Sequence, residues 1–189
     1  MGTLENYGSF KAQAVLHLME RYSHYGFDIH TATEFVSRSS EYKFACYDKI
    51  VREGELHGSG LIYFIVQGEV AVESRLHRQS GRAAVCILQP GELCGESNFF
   101  DVMPATATCT ALSDVVCLAF AKSALYSARG VDTALMHPVM HLIGAHLTKR
   151  IRSANNKILI YEKILDVALS GERMYSKAHY ELELQASQM

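Results

Sequence analysis

The spacing of apolar residues changes twice along this chain, and the changes divide it into three kinds of segment. Over residues 9–25, Phe10, Ala14, Leu18 and Tyr22 recur at every fourth position, with Val15 and Met19 beside them. That spacing puts one apolar stripe on a helix, and Gly26 follows as a terminator. A second, shorter helix is predicted over residues 32–38, capped by Thr31 or Thr33.

From about residue 42 to 121 the period shortens. Apolar segments YKFACY, KIVREGE, LIYFIVQGEVAVES, AAVCILQPGE, TATCTAL and VVCLAF alternate with turn residues. A turn signal roughly every 8 to 12 residues is the mark of a barrel or sandwich of short strands. In LIYFIV both parities are apolar, which predicts cover on both faces, and Gly68-Glu69 predicts a bulge or bend. Around Gly81 a hairpin end is expected, with Arg75, His77, Arg78 and Arg82 along a solvated edge.

The third pattern is a seam. From Gly144, the residues Leu147, Ile151, Ala154, Ile158, Tyr161, Leu165 and Ala168 follow alternating steps of three and four, the spacing of a coiled-coil stripe. A helix over residues 138–169 would be about 48 Å long, with Pro138 in its first turn. One small barrel cannot cover a stripe of that length, so a homodimer through this helix is expected. Gly144 and Ala154 would allow close approach of the two backbones. The expected divisions are a helical segment at 1–39, a barrel at 40–121, helices including the dimerisation helix at 122–170, and a tail at 171–189.

Composition narrows the function classes. The 189 residues are 49% hydrophobic and 20% charged, with only three prolines, as in an ordinary globular protein. No apolar run is long enough to span a membrane, and the first residues lack the pattern of a secretion signal, so a cytoplasmic location is expected. Five cysteines (Cys46, Cys86, Cys94, Cys109 and Cys117) without a C-x-x-C pair read as reduced, mostly buried thiols. Net charge is −2, and the tightest basic group is Lys149, Arg150 and Arg152. That is too little to hold a phosphate backbone, and DNA binding is not expected of this chain alone.

Candidate chemistry concentrates in residues 90–108, PGELCGESNFFDVMPATAT. A turn at Pro90-Gly91 precedes a short strand, Gly95 opens a helix of one or two turns, and Pro104 starts the next strand. Amides at such a helix start favour anions. Glu96 can accept hydrogen bonds from sugar hydroxyls, or simply sit favourably at the positive helix end.

These residues carry a specific resemblance. Glu53-Gly54-Glu55, the run from Leu61 to Val72, and the ungapped stretch from Leu88 to Thr108 resemble the cyclic nucleotide-binding domain family. The likeness is to the sensor half of bacterial catabolite-activator (CRP/FNR-type) transcription regulators, over about residues 40–165. It implies a mainly β fold, a double-stranded β-helix or jelly-roll barrel with N-terminal helices and a long dimerisation helix.

The resemblance also implies a ligand site of Gly95, Glu96, Ser97, Ala105 and Thr106, with Ala154 and Asn155 where the family contacts the base. Glu96 takes the place of the glutamate that binds the ribose 2′-hydroxyl. Ala105 stands where the family has the arginine that holds the cyclic phosphate. Losing its paired charge-assisted bonds in a shielded pocket costs roughly a hundredfold or more in affinity. No cofactor is expected, with cyclic AMP or cyclic GMP as the ligands that the family would suggest.

Other chemistries find less support. His137 and His141 share a helix face at i, i+4, but zinc and haem sites normally need more ligands than two, and no metal site is expected. His146 lies beside the seam; a polar helix-surface histidine is the first reading, and the alternative is one that faces the partner helix, where a charge at low pH would weaken the dimer. Ser97 has neither a G-x-S-x-G elbow nor an assigned partner, so no enzyme is expected. The expected function is a dimeric regulatory sensor with a degenerate cyclic nucleotide pocket, signalling through its long helix. The alternatives are a cyclic nucleotide-responsive transcription regulator, complete or in part, and a scaffold or adaptor for an unidentified protein partner.

Overall fold

The structure, a computed structural model, describes residues 9–56, 60–75, 82–100, 103–127 and 130–186. The expected hairpin end at Gly81, with His77 and Arg78, lies outside them. Two compact units divide the chain, Met1–His146 and Leu147–Met189.

Helix α1 (Ser9–Tyr22) buries Ala14, Val15, Leu18 and Tyr22, the stripe that the spacing predicts. A 3-10 turn, Ser23–Tyr25, closes on Gly26 at φ 95°. Helix α2 (Ile29–Ser37) starts earlier than expected. Its cap is Asp28, whose carboxylate accepts the Thr31 amide at 2.7 Å, rather than Thr31 or Thr33. That amide, with other backbone and side-chain hydrogen bonds from the turn, holds the Asp28 carboxyl below the usual carboxylate range.

Ten strands follow: β1 (Ser40–Phe44), β2 (Lys49–Val51), β3 (Leu61–Gln67), β4 (Val70–Arg75), β5 (Arg82–Leu88), β6 (Leu93–Cys94), β7 (Thr108–Ala111), β8 (Val115–Ala121), β9 (Tyr126–Ser127) and β10 (Gly130–Val131). Helix α3 (Ser97–Phe100) lies between β6 and β7, and α4 (Thr133–Ala186) follows β10. The main strands form two antiparallel four-stranded sheets, ordered β1-β8-β3-β6 and β2-β7-β4-β5. Strands β9 and β10 pair separately.

This corrects the expected fold class. Among the described residues no ladder joins the two sheets, so there is no closed barrel and no jelly-roll topology. Nor is the fold mainly β, because α4 alone spans 54 residues. It is a mixed α/β fold of two small sheets and a long C-terminal helix. Alternation reports which face of a strand is buried, but not which edges pair, and edge pairing decides between two open sheets and a barrel.

Strand β3 shows why both parities of LIYFIV are apolar. On one face Phe64 joins Phe27, Phe35 and Phe120, with Phe35 stacked on Phe120 at 4.6 Å. On the other face Ile65 joins Ile50, Val51, Val70, Val72, Leu88, Cys94, Ala105, Cys109, Ala111 and Val115, drawn from both sheets. Gly68 is a corner rather than a bulge, since β3 and β4 belong to different sheets. The return corner is Ser113-Asp114, and the two are tied by Leu112 N–H to Glu69 O at 2.8 Å and by Glu69 N–H to the Ser113 hydroxyl at 3.1 Å.

Helix α4 begins at Thr133, so Pro138 lies inside it rather than in its first turn. In the first unit it buries Leu135, Val139, Leu142, Ile143 and His146. Arg38 ties α2 to the start of α4, bonding Glu34, Asp132 and the Ala124 carbonyl at 2.6–2.8 Å.

Two glycines of equal backbone sign separate conformational strain from crowding. Gly68 and Gly54 have φ of 86° and 83°, but a Cβ at Gly68 would collide with the Asp114 carbonyl oxygen, whereas one at Gly54 meets open space. Gly54→Ala should cost about 1 kcal/mol, and Gly68→Ala clearly more, on the order of 2–4 kcal/mol. Urea midpoints of the two variants at unchanged m-value check the ordering.

Candidate functional site

The cassette begins where β5 ends. Gly91, at φ 87°, donates its amide to Ile65 O at 2.7 Å, and Ile65 N–H donates to Glu92 O at 2.9 Å. The Glu92 side chain is buried and accepts the Gln89 amide at 2.9 Å, closing the turn on itself. This holds the turn against β3.

Strand β6 then leads to Gly95, whose φ is 82° and whose missing Cβ would stand 3.2 Å from Leu61 O. Glu96 follows with only 2% of its surface exposed. Ser97 is exposed at the start of α3, a helix of one turn that supplies little dipole for an anion. Phe99 is buried, while Phe100 and Met103 are exposed.

Ala105 is pinned by its backbone. Its amide donates to Glu55 O at 3.0 Å, and its carbonyl accepts the Gly54 amide at 2.8 Å. The Glu53-Gly54-Glu55 turn and the end of the cassette are thus brought together, although they are far apart in sequence. The Ala105 side chain is buried in the inter-sheet cluster with Val51, Val72, Cys94 and Cys109. Thr106, next along the chain, is exposed.

The thiols reinforce this apolar lining. Cys94, Cys109 and Cys117 are buried and free, Cys86 is half-buried and Cys46 exposed. A hydrogen bond to Cys109, together with burial, pushes the Cys94 thiol well up, and burial pushes Cys117 to about 12. Both are neutral at physiological pH and behave as small hydrophobes.

One contact was not legible in the sequence. The Tyr22 hydroxyl donates to the Gly91 carbonyl at 2.8 Å and lies 2.9 Å from His146 Nε2. Its single proton is committed to Gly91, so His146 is the donor in the second contact. Burial is the main cause that raises Tyr22 to about 12. His146 is 6% exposed and packed against Tyr22 of α1, so it is not a surface histidine. By spacing alone Tyr22 is part of an apolar stripe, and contacts spanning 69 and 124 residues leave no local signal.

Ala154 and Asn155 lie on α4 in the second unit and are exposed. The seam residues share that helix. Gly144 is in the first unit, Leu147 is half-buried, and Ile151, Ile158, Tyr161 and Leu165 are 55–67% exposed. Among the described residues no group of three or more His, Cys, Asp or Glu could hold a metal ion, and no helix is long and apolar enough to cross a membrane.

The family described as "Cyclic nucleotide-binding domain" matches residues 42–129. A cyclic nucleotide-binding domain from Methylobacillus flagellatus superposes with TM-score 0.66 at 19% identity, covering 80% of this chain and 84% of that one. The Thermus thermophilus catabolite activator protein gives TM-score 0.59 at 24% identity, covering 72% of this chain and 61% of its own length.

The regulatory subunit of a cAMP-independent protein kinase A from Trypanosoma cruzi, bound to guanosine, gives 0.55 at 21% identity, covering 75% of this chain and 47% of that chain. No curated protein matches the chain. Residues 42–129 thus carry a cyclic-nucleotide-binding-like domain, whose fold resembles the sensor domain of CRP/FNR-type regulators.

Proposed function

We propose that this chain is a dimeric regulatory sensor whose cassette accepts an uncharged, hydroxyl-bearing ligand of the nucleoside class in place of a cyclic nucleotide. The observation that carries this reading is Ala105, buried in an apolar cluster where the family's phosphate-holding arginine would stand. A phosphodiester brought there loses its hydration and gains no cation from that position. Glu96 keeps the carboxylate that the resemblance assigns to a ribose hydroxyl, and a nucleoside needs that acceptor without needing the arginine. The guanosine-bound T. cruzi relative supports the pairing of this fold with an uncharged ligand.

The state of the cassette reaches the long helix through Tyr22, which contacts both Gly91 and His146. Beyond Leu147, α4 exposes Ile151, Ile158, Ile160, Tyr161, Ile164 and Leu165, a density of apolar surface that favours pairing with a second copy. In a second reading the chain is the sensor part of a transcription regulator, favoured by its matching 61% of the length of the T. thermophilus activator.

Calorimetric titration tests the ligand class. Cyclic AMP and cyclic GMP should bind the unaltered chain at least about a hundredfold more weakly than a nucleoside, and Ala105→Arg should recover a similar factor for the cyclic nucleotides. Micromolar binding of either messenger by the unaltered chain overturns the proposal. Light scattering tests the helix: Ile158→Asp combined with Leu165→Asp should convert a dimer to a folded monomer, and an unchanged mass rejects the seam.

A further inference from the structure

We propose that His137 and His141 form a two-histidine chelate for a divalent transition-metal ion on the exposed face of α4, near its start. This does not depend on the ligand of the cassette. Both rings are exposed, and their Nε2 atoms converge to 3.1 Å. With metal–nitrogen bonds of about 2.0–2.1 Å, that separation corresponds to a ligand–metal–ligand angle of about 95–102°. The value falls between the cis angle of a tetragonal site and the tetrahedral angle, which suits Cu2+, Ni2+ and Zn2+. Mg2+ and Ca2+, which take oxygen ligands, are not suited.

Two further observations distinguish this pair from two histidines that merely share a helix face. The His141 ring is stacked on Tyr25 at 5.7 Å with 10° between the planes, and Tyr25 is in turn packed against His24 at 3.9 Å. This fixes one ligand ring before an ion arrives, so less side-chain entropy is lost on binding.

The pair also straddles Pro138, which has no N–H to give to the Ala134 carbonyl and leaves that turn of α4 short of a hydrogen bond. Pro138 lies against Gly26, at the end of the 3-10 turn that carries His24 and Tyr25. A metal bridge from residue 137 to 141 would staple the turn that directly follows this gap. With no ion, one imidazole must donate to the other, so the rings need opposite tautomer roles. With an ion, both lone pairs face the cation. The remaining coordination positions would be taken by water, since no third protein ligand is at hand among the described residues.

The test uses the full, tag-free chain with Cu2+ and with Zn2+ as probes. Calorimetry should give one ion per chain, Cu2+ binding more tightly than Zn2+, and the Cu2+ complex should show two equivalent nitrogen couplings in its electron spin resonance spectrum. His137→Gln and His141→Gln should each weaken binding about tenfold or more, while His17→Gln and His30→Gln, remote in sequence from the pair, should leave it unchanged. Both substituted side chains are exposed, so the variants should keep the parent circular dichroism. Zn2+ should also slow amide exchange over residues 139–145 in the parent and not in the variants. Undiminished binding in the double variant means adventitious coordination elsewhere and overturns the site. Unchanged exchange in the parent overturns the staple.

Discussion

Strand β3 must be buried on both of its faces, and the rest of the first unit is arranged around that requirement. Phe64 needs the aromatic group supplied by α2 and β8, while Ile65 needs the apolar residues that β2, β4 and β7 contribute from the second sheet. The chain meets both demands by turning a corner at Gly68, where only a residue without a Cβ clears the Asp114 carbonyl. Because the inter-sheet space must stay dry to stabilise Ile65, the side chains that close it are apolar. Ala105 and Cys94, both belonging to the cassette, are among them.

That packing sets the chemistry of the site. At the end of the cassette the Ala105 methyl fills the interior. The backbone holds the arrangement firmly, with Ala105 paired on both sides to the Glu53-Gly54-Glu55 turn. Glu96 is a buried acidic side chain beside the neutral Cys94 thiol, and Glu92 and Thr108 of the same stretch are buried as well.

The Tyr22 hydroxyl gives the cassette turn a mechanical connection. One oxygen joins α1, the Gly91 carbonyl and His146, the last residue of the first unit. Breaking either contact would leave buried polar atoms without a partner in an apolar surrounding.

Much of this was legible in the amino-acid order. The helix stripe of Ala14, Leu18 and Tyr22, the strands from Tyr42 to Phe120 and the double burial of LIYFIV all follow from local periodicity, which fixes the face that each segment buries. The cassette residues and the alanine at 105 could be named from their motif. The sequence did not determine the Asp28 cap, the open pairing of the two sheets, the extension of α4 back to Thr133, the turn of His146 toward Tyr22, or the convergence of the His137 and His141 rings. Each of these depends on which edges and side chains meet after the chain has folded. Periodicity constrains a residue by its neighbours in the chain, whereas pairing and polar contacts are decided by distant partners whose positions only the tertiary structure supplies.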